Sequence, residues 1–170
     1  MVWALTGLSV EKRSELMTSK DAVSHMSLAL FEAKAAAARG EVPVGAVIVS
    51  EEGRILAAAG NRTRELNDPT AHAEMLVIRA ACAELADERL VGCSLYVTLE
   101  PCPMCATAAS FARLKRLYYG ASDPKGGGVE QGIRVFSQPT CHHVPEIYPG
   151  IAEAEASTLL KTFFAERRED

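Results

Sequence analysis

The sequence predicts an α/β domain built on a mixed, mostly parallel sheet, and three features of the 170-residue chain predict it. An apolar run at residues 44–49 is followed, after a short turn, by a second run at 54–59, the pattern of a hairpin. Strands and helices then alternate in the order strand, helix, strand, helix, strand, which requires parallel crossovers. An amphipathic helix closes the chain.

Residues 1–20 scatter apolar residues among Glu11, Lys12, Arg13, Glu15 and Lys20, and are expected to be a poorly ordered N-terminal extension; residues 21–170 are expected to form one domain. From Asp21 to Arg39 the spacing of Met26, Leu30, Ala33 and Ala37 predicts a helix, capped by Gly40. Val44-Gly45-Ala46-Val47-Ile48-Val49 is nearly continuous in apolar residues, as in a strand covered on both faces. Glu51-Glu52-Gly53 supplies the turn, and Arg54 to Ala59 returns as the partner strand. Gly60 to Arg64 leads into a polar loop. Asp68-Pro69-Thr70 starts a helix with Thr70 as N-cap, and Met75, Ile78, Cys82 and Leu85 mark its buried stripe.

Ser94 to Leu99 is the next strand. Pro101 and Pro103 open an alanine-rich helix that runs to about Leu114, since proline is tolerated where first-turn amides have no intrahelical acceptor. Lys115 to Gly120 is a fourth strand and Val144 to Tyr148 a short fifth, with a loop at 123–132 in which Gly126-Gly127-Gly128 reads as a flexible surface turn. In the closing helix Ala152, Ala156, Leu159, Leu160, Phe163 and Phe164 fall on one stripe, where the last aromatic is also placed to cap a pocket.

Composition narrows the function. The net charge is −4, without the basic excess of a protein that grips long nucleic acid, so any nucleic-acid substrate is expected to be short. No apolar run reaches the roughly 18–20 residues of a membrane span, and the start lacks the features of a secretory signal. Five cysteines, an odd and irregularly spaced set, fit reduced thiols in the cytoplasm.

The chemistry gathers between Thr70 and Cys105. His72, Cys102 and Cys105 offer one imidazole and two thiols, three ligands for one zinc ion with a fourth position left for water, and Glu74 is the acid/base beside it. Cys102 and Cys105 share a face of a first helical turn. Two crossover helices on one face of a parallel sheet begin at the same edge, so His72 can join them across thirty residues of sequence. Two thiolates and a neutral imidazole cancel the charge of Zn²⁺, which weakens its acidifying effect and makes Glu74 more necessary. Three other readings stand beside this one. A redox pair at Cys102 and Cys105 has no use for His72 or Glu74. A non-catalytic, zinc-stabilised binding module needs a fourth ligand from Cys141, His142 or His143. A free nucleobase or nucleoside deaminase (guanine, cytosine or cytidine) would carry the same motif on the same scaffold.

His-x-Glu at one helix start with Pro-Cys-x-x-Cys at another is the signature of zinc nucleobase deaminases. With Glu41-Val42-Pro43-Val44-Gly45-Ala46-Val47, Gly60-Asn61-Arg62, Asp68 to Glu74, Leu95 to Cys102 and Asp123 to Gly127, the chain resembles the bacterial tRNA-specific adenosine deaminases of the cytidine deaminase-like superfamily. The resemblance implies a three-layer α/β/α fold with a five-stranded sheet, one zinc per subunit on His72, Cys102 and Cys105, and Glu74 shuttling protons. It further implies that Asn61 hydrogen-bonds the target base or its ribose, that Val42 and Pro43 shape the base pocket, and that the enzyme is a homodimer. The implied substrate is the wobble adenosine of a tRNA anticodon loop, with Arg62, Arg64, Lys125, Arg167 and Arg168 as candidate phosphate contacts. Neither a membrane nor a DNA duplex is an expected partner. Lys115 and Arg116, at the far end of their strand, are expected to be ordinary surface charges.

Overall fold

A computed structural model describes residues 25–167; the N-terminal extension expected at 1–20, the first residues of the predicted opening helix and Arg168 lie outside them. Helix α1 (His25–Ala38) leads into β1 (Gly45–Val49) and β2 (Ile55–Gly60), followed by α2 (Ala73–Leu85), β3 (Ser94–Leu99), α3 (Pro103–Phe111), β4 (Arg116–Ala121), β5 (Glu146–Tyr148) and α4 (Glu153–Glu166). A 3₁₀ turn at Val135–Ser137, not foreseen from the sequence, interrupts the long β4–β5 connection. The sheet order is β2-β1-β3-β4-β5. β1 is antiparallel to both neighbours, while β3, β4 and β5 are mutually parallel, so four strands point one way and β1 alone runs against them.

The layers follow from strand alternation. Ala46, Ile48, Leu95, Val97, Leu117 and Tyr119 meet Val77, Ala81, Ala106 and Ala109 of α2 and α3 in one core. On the other face Val47, Val49 and Ala121 meet Met26, Ala29 and Leu30 of α1 and Ala156 of α4. β1 is buried on both faces, as its unbroken apolar run requires. Close approach accounts for its one glycine: a Cβ on Gly45 would lie 1.9 Å from the Ala29 carbonyl oxygen and 2.5 Å from the Ala33 nitrogen. Gly45→Ala is therefore expected to destabilise the fold by about 1–3 kcal/mol or more, read as a lowered urea midpoint.

Several expectations shift in register. In α1 the buried row is Met26, Ala29, Leu30, Ala33 and Ala36, with Ala36 replacing Ala37. Gly40 ends that helix as expected, at φ +83°, with amide bonds from Gly40 to the Ala37 carbonyl and from Glu41 to the Ala36 carbonyl. In α2 the inward residues are Ala73, Glu74, Val77, Ile78 and Ala81; Met75 and Cys82 are half-buried and Leu85 is exposed, because the helix lies so close to the sheet that small residues form its contact row. In α4 only Ala156 and Phe163 are buried; Ala152 is exposed, and Phe164, 47% exposed, packs edge-on against Phe163. That helix rests on the sheet along a narrow line rather than a broad stripe.

The C-terminal ends of β2, β3 and β4 and the N-terminal end of β1 lie along one edge of the sheet. The connections from β2 to α2 and from β3 to α3 both cross this edge, which brings together the residues described next.

Candidate zinc centre

His72 and Cys102 are the N-caps of α2 and α3, both in extended conformation and neither making a side-chain capping bond. His72, not Thr70, caps α2: Thr70 is turned into a loop by Asp68, whose Oδ1 accepts from the Thr70 amide at 2.8 Å and its hydroxyl at 2.7 Å. At an N-cap the side chain is free of the helical repeat, so His72 and Glu74 reach the same space although they would diverge on a regular helix. Cys105 sits in the first turn of α3, which Pro103 begins at its first position.

The Sγ atoms of Cys102 and Cys105 lie 3.7 and 3.6 Å from His72 Nδ1, and all three donor atoms fall within 4.8 Å of one another. A tetrahedral ion with zinc–sulfur and zinc–nitrogen bonds of ordinary length would set sulfur and nitrogen about 3.6 Å apart. The three residues therefore fit a zinc ion as they stand. Among the described residues the donor cluster holds these three and no fourth. Cys141 and His143 pack near Ser110 and Leu114, more than a helical turn beyond Cys105 along α3, and the only such donor cluster among the described residues is the set of three.

The electrostatics suit a cation. A hydrogen bond from the Cys105 thiol, reinforced by His72, brings the Cys102 thiol down to about 4, and the same bond together with burial pushes Cys105 up. The Cys102 side chain in turn raises His72 through its hydrogen bond. Glu74 is 3% exposed, its Oε2 buried without a partner, and burial pushes its carboxyl up to about 7. An orphaned carboxylate oxygen in a dry site costs about 1–3 kcal/mol, a cost that a ligand or water in the open position would relieve.

Asn61 is 7% exposed and locked by both its backbone and its side chain. Its amide donates to the Val44 carbonyl at 3.0 Å, and its Oδ1 accepts from the Ala73 amide at 2.8 Å, filling one orphan donor at the start of α2. The side-chain amide of Asn61 is thereby oriented from beside His72. Pro43 is buried, and Val42 packs on the core that includes Ala73. Of the three, Asn61 is tied directly to the start of α2 next to His72.

Two buried carboxylates that sequence reasoning did not single out hold the neighbouring loops. Glu100 accepts from the amides of Asp123, Val129, Glu130 and Gln131 and from the Ser122 hydroxyl. Burial raises its pKa, but the four backbone donors outweigh that and hold it below the ordinary carboxylate value. Glu41 does the same for residues 63–65. The usable signal was a lone acid inside otherwise apolar words, Val97-Thr98-Leu99-Glu100-Pro101 and Glu41-Val42-Pro43-Val44. The glycines beyond β4 are not the flexible surface turn expected. Gly127 and Gly128 are buried, and a Cβ on Gly128 would lie 2.6 Å from the Pro103 nitrogen, so the loop is clamped on the cysteine turn.

The basic candidates separate. Arg62 grips Glu65, with Nε 2.8 Å from Oε2. Arg64 and Arg167 both donate to the Gly40 carbonyl, and Arg167 also covers the Phe163 ring at 3.8 Å. Lys125 is exposed. Lys115 and Arg116 pair with Glu51 and Glu146 at the far end of the sheet, as expected. Among the described residues no helix is long and apolar enough to cross a membrane.

Comparison with known proteins agrees with this geometry. The family profile for the cytidine and deoxycytidylate deaminase zinc-binding region matches residues 19–121. A tRNA-specific adenosine deaminase of Agrobacterium fabrum is 64% identical over 145 residues, 85% of this chain and 95% of that relative. A chain solved in studies of A-to-I editing by tRNA:A34 deaminases at the wobble position of transfer RNA is 65% identical, with a TM-score of 0.79 over 80% of this chain and 98% of that one. A guanine deaminase from Nitrosomonas europaea, 23% identical, shares the fold with a TM-score of 0.72 over 83% of each chain.

Proposed function

The chain belongs to the cytidine and deoxycytidylate deaminase family, within its tRNA-specific adenosine deaminases, and from that membership we propose that it converts the wobble adenosine of a tRNA anticodon loop to inosine with release of ammonia. The observation that carries a hydrolytic reading is the set of three zinc donors beside a buried carboxylate with one unpartnered oxygen. Relatives named for tRNA, similar over most of their length, support the choice of substrate.

His72, Cys102 and Cys105 would hold the zinc, which supplies Lewis-acid activation of a water molecule when bound. Glu74 Oε2 takes a proton from the attacking water and gives it to N1 of adenine as the new bond forms at C6. The carboxylate, free again, takes the proton of the new C6 hydroxyl and delivers it to the amino group as the C6–N bond breaks, so that adenosine and water become inosine and ammonia. Asn61 directs its side-chain amide at the base or ribose, and Val42 and Pro43 wall the pocket. An anticodon-loop base is already unpaired, so extruding it costs little. That suits a protein whose net charge is −4. The tRNA substrate places its work in the cytoplasm. A homodimer is part of the same proposal, supported by Phe111, which stands 73% exposed at the end of the alanine-rich α3.

The deciding experiment incubates zinc-loaded protein with an anticodon stem-loop carrying a wobble adenosine, and separately with guanine, cytosine and cytidine. Inosine is expected in the stem-loop and nowhere else; ammonia released only from a free base would overturn the assignment.

A further inference from the structure

Glu41 takes no part in the zinc cluster, yet it is one of the most thoroughly buried charged residues described, at 1% exposed. The turn at Gly40 that ends α1 delivers it inward. Its Oε1 accepts from the amides of Arg64 at 2.9 Å and Glu65 at 2.8 Å, and its Oε2 from the Thr63 hydroxyl at 3.1 Å. Burial raises this carboxyl, but the three donors and the nearby Arg39 bring it below its ordinary value. The segment it grips belongs to the connection from Asn61 to His72, which contains no helix or strand, begins at the Asn61 side chain and ends on a zinc donor. The same corner adds further ties: Arg39 donates to the Asn61 carbonyl at 3.3 Å and lies 3.6 Å from Glu65, and Arg64 donates to the Gly40 carbonyl at 3.2 Å.

A buried carboxylate is costly to desolvate. An apolar residue past the end of α1 would pack without that cost, but it would leave two loop amides without an acceptor. We propose that Glu41 is a positioning residue for the reaction, fixing residues 61–65 so that Asn61 meets the anticodon loop in register. It acts through those residues and does not touch the base. The proposal rests on the tRNA reading above.

Reach and charge separate cleanly at this position. Glutamine reaches as far as glutamate: its oxygen can accept from both amides, and the Thr63 hydroxyl can turn to accept from its NH₂. Aspartate keeps the charge but is one methylene too short to hold both amides and the hydroxyl. In the full-length, zinc-loaded protein acting on the stem-loop, Glu41→Gln is expected to keep a near wild-type KM. Glu41→Asp is expected to raise KM about tenfold or more, with a smaller effect on kcat, because substrate groups are misplaced and the chemistry is not. Both should retain one zinc per chain. Hydrogen exchange at the Arg64 and Glu65 amides should quicken by about tenfold in the aspartate variant alone, a readout independent of turnover.

Wild-type KM and exchange in Glu41→Asp would overturn the proposal, as would an effect confined to zinc content or melting. A glutamine variant worse than the aspartate one would also overturn it, by assigning the effect to charge. If Glu41→Asp does not fold, Thr63→Val, which removes the Oε2 contact alone, must raise KM; an unchanged KM again overturns it. A wild-type protein inactive on the stem-loop defeats the substrate assignment, while the exchange measurement still judges the tether.

Discussion

Glu74→Ala is expected to bind one zinc per chain with wild-type affinity while its kcat on the stem-loop falls by about 10²–10⁴-fold or more. The two halves of that result test different things. Zinc retention follows because the three clustered donors are His72, Cys102 and Cys105, and the Glu74 side chain is not one of them. The loss of turnover follows from charge: two thiolates and an imidazole neutralise the ion, leaving it a weak acidifier, and Glu74 offers a buried carboxylate oxygen, Oε2, that no other group engages among the described residues. Glu74→Gln keeps the shape and should be nearly as inactive, since an amide cannot take up the proton. The wild-type oxygen is buried without a partner, so neither variant should melt earlier by much. Metal analysis by atomic absorption with single-turnover kinetics checks all of this. An active Glu74→Ala with full zinc would remove Glu74 from the chemistry.

The second large effect is expected at the metal donors. Cys105→Ala should lose zinc and with it measurable activity, and excess zinc should not restore turnover, because two remaining donors cannot hold the ion against water. Chelation of the wild type should produce the same inactive state, reversed by one equivalent of zinc. The far-UV circular dichroism should change little in either case. Both cores, the one between the sheet and α2 and α3 and the one under α1 and α4, are built from residues other than His72 and Cys102. A variant that lost zinc and its secondary structure together would instead mark a structural metal site, the reading that calls on Cys141, His142 or His143 for a fourth ligand. Those residues lie toward the far end of α3 from Cys102.

The sequence was most readable where one short stretch carried its own cause. The apolar run of β1, the glycine ending α1 and the prolines opening α3 each follow from local chemistry. The His-x-Glu and Pro-Cys-x-x-Cys spacings identified the metal donors because zinc restricts the residue types that can serve it. Misreadings came where a neighbour decides. Met75, Cys82 and Leu85 have the spacing of a buried stripe, but α2 lies so close to the sheet that Ala73, Val77, Ile78 and Ala81 form the contact. Thr70 has the chemistry of an N-cap, and Asp68 binds it first. Phe164 continues an apolar stripe, yet the fold leaves it 47% exposed.

By itself, then, the sequence determined the reaction class and its donors, since a handful of residue types at fixed spacing is enough to specify zinc and a proton carrier. Only the tertiary structure decided how those donors are aimed. His72 escapes the helical repeat as an N-cap, Asn61 is turned by the amide of Ala73, and Glu41 and Glu100 fix loops through backbone amides that carry no side-chain signature. A backbone donor is the same in every residue, so where a buried carboxylate will find one depends on the fold and cannot be read from the letters.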